Sequence, residues 1–144
     1  MSDSGIVTAL LAAAAAENAA VYGYSVAGAR LATPKDKNAA RAAYDAHRAQ
    51  VQTVTGWLAE RGATPAPAAP VYRLPSPVVD NPTARALLAA IEESTAAAYA
   101  DVVAVASAQL QRDAALALQA AAIREAQWRT TPVPFPGLLG RLGT

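Results

Sequence analysis

The stretch YDAHRAQV, residues 44 to 51, holds the only histidine of the chain, His47. Its neighbours at helical spacing, Ala40, Tyr44, Val51, Val54 and Leu58, are apolar or aromatic, so the imidazole points where the core points. Three other apolar stripes each carry one carboxyl near their middle. Glu17 lies between Ala13 and Val21, Glu92 between Leu88 and Thr95, and Glu125 between Ala121 and Trp128. Burying one lone carboxylate costs several kcal/mol even after relaxation. Three glutamates and a histidine on four inward stripes therefore make sense only if they meet. They can then share protons, pair with the imidazole, or hold a cation. The remaining acids, Asp45, Glu60, Glu93, Asp101 and Asp113, fall mostly off the stripes and read as solvated faces, with Glu93 replacing Glu92 if the third stripe is phased one residue later.

The elements that must bring these groups together can be read by apolar period. A first helix runs from about residue 4 to 32, with Ser4 as cap and Pro34 beyond its end. A second runs from about 36 to 61 and stops at Gly62. A third starts near Pro82, with Asp80 or Asn81 as cap, and reaches about Ser107. A fourth runs from about 109 to 129 and ends before Pro132. No Gly or Pro marks the boundary between the third and fourth; Ser107, in ASAQL, is the best cap there.

Between the second and third helices lies GATPAPAAPVYRLPSPVVDN, residues 62 to 81, with five prolines and no helical period. A helix of about 25 residues is roughly 37 Å long. A proline-rich segment of this length reaches about 60 Å at ~3.1 Å per residue, enough to run from one end of a bundle to the other. The expected fold is all-α: a four-helix bundle of two antiparallel hairpins joined by one long crossover, spanning residues 1–131, followed by a Pro/Gly-rich tail over 132–144. Long crossovers of this kind typify ferritin-like bundles.

Composition limits the function classes. Alanine supplies 40 of 144 residues; it is the best helix former, and its short side chain lets helices approach closely. The net charge is +1 with acids and bases interspersed, which gives no electrostatic footprint for nucleic acid. Without cysteine there is no disulfide and no thiolate chemistry. The N-terminal apolar run carries Asp3, no Lys or Arg, and Glu17 in phase with a continuing helix. It reads as neither a cleaved leader nor a membrane span. The expectation is a cytoplasmic homodimer or other small homo-oligomer, with no nucleic-acid or membrane partner. No glycine-rich phosphate loop is present, and the single mid-helix histidine makes a Ser-His-acid set implausible.

The segments ENAAVYGYSVAGARL, AAYDAHRAQ, ERGATPAPAAPVYRLP, IEESTAAAYADVV and REAQWR, in this order and spacing, resemble a family of actinobacterial ferritin-like domains of unknown function. The resemblance extends to about Leu138. Dimetal bundles of the ferritin-like type use a Glu from each of two helices and Glu-x-x-His from each of the other two. The resemblance implies Glu17 and Glu92 as the single glutamates. In YDAH, His47 is kept and Tyr44 stands where a bridging Glu belongs; in EAQW, Glu125 is kept and Trp128 replaces the second His. The first metal position would retain Glu17, His47 and Glu125, which suits a single Fe, Mn or Zn ion. The second would retain only Glu92 and Glu125. The other reading is a relic polar core with no metal and no catalysis. In it His47 is protonated between glutamates, at least one carboxyl shares a proton, and Tyr24, Tyr44 and Tyr99 donate phenolic hydrogen bonds. Arg41, Arg48, Arg124 and Arg129 flank the stripes, and one of them could reach in to neutralise a glutamate. Trp57, near the start of the crossover, reads as a packing residue. Residues 132 to 144 end in apolar side chains. Phe135 and Leu138 would pack on the bundle, or the tail would dock a partner or a larger shell as cargo.

Overall fold

The computed structural model describes residues 3–129; the tail assigned to 132–144 lies outside them. Four helices and no strand are present among the described residues: α1 (Asp3–Gly28), α2 (Pro34–Ala59), α3 (Asn81–Val105) and α4 (Ala108–Arg129). α1 packs against α2 and α3, and α3 against α4. The fold is an all-α four-helix bundle.

Local chemistry sets the helix ends. Thr33 caps α2 by accepting from the Asp36 amide at 3.1 Å, and Pro34 fills the first turn, where its missing N–H goes unneeded. Asp80 and Thr83 form a reciprocal capping box on α3, followed by Pro82 in the first turn. At the C-terminus of α2, Gly62 takes a left-handed backbone, φ +68°. The Ala63 amide bonds the Leu58 carbonyl and the Gly62 amide that of Ala59, which closes the end as a Schellman motif. α1 ends at Gly28, short of the 32 expected, because the chain must leave the helix before Thr33 can cap α2. The α3–α4 break falls at Ala106 and Ser107. Ala106 is extended, and the Ser107 carbonyl accepts from Gln111.

The crossover traverses the bundle. Its start, Ala63, packs with Ala9, Leu10, Val54, Leu58 and Ala106 at one end. Leu74 and Val78 pack with Leu31, Ala40, Ala84 and Trp128 at the other. There the Ala32 amide donates to Asn81 Oδ1 at 2.9 Å, tying the α1–α2 turn to the start of α3. Between, Tyr72 stacks on Tyr22 of α1 with ring centroids 5.7 Å apart. Gly23 lets α1 and α3 close up, since a Cβ there would collide with the Ile91 side chain.

By length and mean hydropathy α1 is apolar enough to cross a membrane, a test that the core helix of a bundle also passes. In the bundle its buried residues, Leu10, Ala13, Glu17, Ala20, Tyr24 and Ala27, form one stripe. An apolar helix with its carboxyl inside is what a core position requires. Two apolar clusters thus occupy the ends of the bundle, with a buried polar layer between them.

Candidate functional site

That layer is built from one side chain of each of three helices. Glu17 from α1, His47 from α2 and Glu92 from α3 are all buried, with at most 1% of their surface exposed. The imidazole bridges the two carboxyls: Nδ1 lies 2.5 Å from Glu17 Oε2, and Nε2 lies 2.7 Å from Glu92 Oε1. Two phenols complete the layer. Tyr99 donates to Glu17 Oε1 at 2.6 Å, and Tyr24 donates to Glu92 Oε1 at 2.7 Å. Trp128 Nε1 donates to the Tyr24 oxygen at 2.8 Å. From α4, Arg124 Nε donates to Glu92 Oε1 at 2.9 Å. Three donors therefore crowd on Oε1 of Glu92, while its Oε2 is buried with no hydrogen-bond partner.

The electrostatics follow from that geometry. Burial opposes charge on His47, but hydrogen bonds and attraction from Glu17 and Glu92 outweigh it and push the imidazole up to about 9. It is therefore an imidazolium near neutral pH, donating on both sides. Burial also works against the Glu92 carboxylate. The bonds from His47, the charge of Arg124 and the Tyr24 hydroxyl win, and hold it below the usual range. The Tyr24 and Tyr99 phenols lie well above their ordinary value, through burial first and the neighbouring carboxylates second. Both remain donors.

Two expected members are absent from the layer. Glu125 does not converge on the others: it is half-buried and accepts from Arg129 at 3.0 Å, one turn further along α4. Arg124 faces inward instead, with 23% of its side chain exposed. A guanidinium on a long stem can cross from a flanking position to Glu92 while keeping its edge in water; a shorter carboxylate at 125 stays outside. Tyr44 is the second correction. It sits half-buried beside the stripe, under the Arg48 guanidinium at 5.8 Å, while Ala43 takes the inward position. Trp128 does fill space against the cluster, as expected, and its N–H makes it part of the network. Glu92, not Glu93, faces inward; Glu93 is exposed and pairs with Arg129. Trp57 packs on the apolar cluster at the crossover start.

The distances show what this layer can do. Two donor atoms sharing a tetrahedral ion with bonds of ~2.0 Å stand about 3.3 Å apart. Separations of 2.5 and 2.7 Å are proton-sharing distances instead. Among the described residues no group of three His, Cys, Asp or Glu side chains is arranged to hold a metal. Surface grooves lie along the crossover over α1 and α3 (about 540 Å³, lined by Tyr72, Leu74 and Ile91) and near the starts of α2 and α3 (about 800 Å³, lined by Lys35, Arg85 and Trp128). Glu17, His47 and Glu92 line neither.

Comparison with known proteins fits this architecture. The crystal structure of a conserved hypothetical protein, rv2844, from Mycobacterium tuberculosis superposes with a TM-score of 0.85. It is 32% identical, over 89% of this chain and 97% of that one. No curated protein matches the chain. The profile described as "Domain of unknown function (DUF4439)" matches residues 9–139, a span that includes every residue of the polar layer. The chain belongs to the DUF4439 family.

Proposed function

We propose that the protein is a non-catalytic, ferritin-like helical bundle whose polar layer is a closed structural core, and that it acts through its surface. The observation that carries this reading is the engagement of both imidazole nitrogens by carboxylate oxygens at 2.5 and 2.7 Å. A histidine so held has no lone pair for a metal and no access to a substrate. Arg124 supplies the second positive charge, so two cations face two carboxyl groups. The crossover between α2 and α3 supports the ferritin-like kinship, and the Mycobacterium neighbour supports an actinobacterial setting. Exposed Leu116 and Ile123, seven residues apart on α4 and 64% and 52% accessible, support a small homo-oligomer. Cytoplasmic residence belongs to the same reading. Cargo or partner docking through residues 132–144 is a separate possibility that rests on the tail's composition.

One observation favours a second reading, a mononuclear metal protein that handles iron or does redox chemistry. Glu92 Oε2 is buried without a partner, as a carboxylate awaiting a cation would be. Glu17, His47 and Glu92 would have to spread to admit the ion, and Glu125 would have to turn inward. Anaerobic equilibrium dialysis of chelator-free protein against Fe(II), Mn(II) and Zn(II) decides between the two. The closed core predicts no stoichiometric uptake of any. One tightly held ion per chain, lost in His47→Ala, would replace the closed core by the metal reading.

A further inference from the structure

We propose that the side of the bundle formed by α2 and α4 docks a second copy of this chain, antiparallel, about a two-fold axis between Leu116 and Ile123. The inference rests on the self-association proposed above and gives it a surface. α2 packs on α1, and α4 packs on α3, but α2 and α4 do not close on each other. Two furrows lie between them instead. One, about 540 Å³, has Lys35 and Ala39 of α2 on one wall and Ile123 and Ala126 of α4 on the other. The second, about 350 Å³, sets Gln50, Thr53 and Trp57 against Asp113, Leu116 and Ala120. The two exposed large apolar residues of α4, Leu116 and Ile123, thus stand one in each furrow. The alanines beside them leave room for a partner helix to approach closely.

Charge selects the occupant. Exposed Lys35 marks one end of this side and half-buried Asp113 the other. Asp113 lies three residues before Leu116, and Ala126, which shares a furrow with Lys35, lies three residues after Ile123. A two-fold axis midway between Leu116 and Ile123 therefore lays each Leu116 against the partner's Ile123. The same operation brings each Lys35 level with the partner's Asp113, once at either end. A parallel pairing would set Lys35 level with the partner's Lys35, so opposite charges favour the antiparallel register and like charges disfavour the other. The face is also large enough. α4 has 22 residues, which is about 33 Å of helix, and two helices side by side are about 20 Å across. That footprint is roughly 650 Å² on each copy and about 1,300 Å² in all, within the range of stable specific interfaces.

Sedimentation equilibrium of the full chain over a wide concentration range tests this. The parent should be dimeric, and the double variant Leu116→Glu, Ile123→Glu monomeric. Lys35→Glu and Asp113→Lys should each weaken the dimer about tenfold, and the two together should restore it. Far-UV circular dichroism and an unchanged ¹⁵N spectrum of the His47 ring establish that the bundle and its polar layer survive in each variant. A dimer that persists in the Leu116→Glu, Ile123→Glu variant overturns this face and leaves self-association through another surface standing. A parent that is monomeric throughout overturns both; if removing residues 130–144 then lets it dimerise, the chain's own tail is the occupant. A double charge variant no tighter than the single ones overturns the antiparallel two-fold.

Discussion

Raising the pH from 6.5 to 9.5 should remove the contribution of the imidazolium bridge. In the native state His47 is held at about 9 by Glu17 and Glu92, whereas a free histidine titrates near 6.5. The folded protein thus binds a proton that the unfolded chain releases in this window. The sign follows: the contribution is whole below the unfolded value of about 6.5 and is lost as pH rises through the folded value. The difference is about 2.5 pKa units at 1.36 kcal/mol each, so the loss is roughly 3 kcal/mol. Glu92 acts on the other flank. Its depressed value contributes stability above the ordinary glutamate range of about 4.3 that is lost as pH falls through the folded value. Stability should therefore be greatest between about pH 5 and 6.5. Guanidinium unfolding at half-unit pH steps, in the parent and in His47→Leu, measures this directly. The parent should lose stability across the alkaline window, and the variant should be nearly flat there. A parent curve that is level from pH 6.5 to 9.5 would refute the bridged imidazolium.

Removing the bridge outright should cost about 3–5 kcal/mol, because His47→Leu leaves two buried carboxyls facing each other without a donor between them. Adding Glu17→Met should recover part of that loss, as denaturant midpoints will show. Trp128→Phe deletes the N–H that holds the Tyr24 oxygen and should lower stability by about 1 kcal/mol, read from thermal melts. Ala108 carries a left-handed backbone, φ 52°. Ala108→Gly should relieve about 1 kcal/mol and raise the melting temperature by about 3 °C.

Much of this arrangement could be read from the sequence, since burial enforces periodicity. Glu17, His47 and Glu92 sit at positions whose neighbours four residues away on either side are small or apolar, and all three are buried where that phase puts them. The crossover was legible because five prolines exclude a helix and set a minimum reach. Glu125 was misplaced for a definable reason. Ala121 and Trp128, both buried, fix the direction of α4, and at 100° per residue positions 124 and 125 lie about 50° to either side of it. Phase cannot choose between them; the reach of the guanidinium and the pull of Glu92 do. The pairing of Glu125 with Arg129, one turn on, holds the carboxylate outside. Tyr44 failed similarly, because Ala43 and Tyr44 both border the stripe and only the smaller fits between packed helices.

The most direct test of the closed core is the ¹⁵N spectrum of the His47 ring at pH 7.5, recorded before and after excess Zn(II). A bridged imidazolium predicts two protonated nitrogens whose shifts do not change on adding the ion. A ring with one bare nitrogen, moving on addition of zinc, would contradict it.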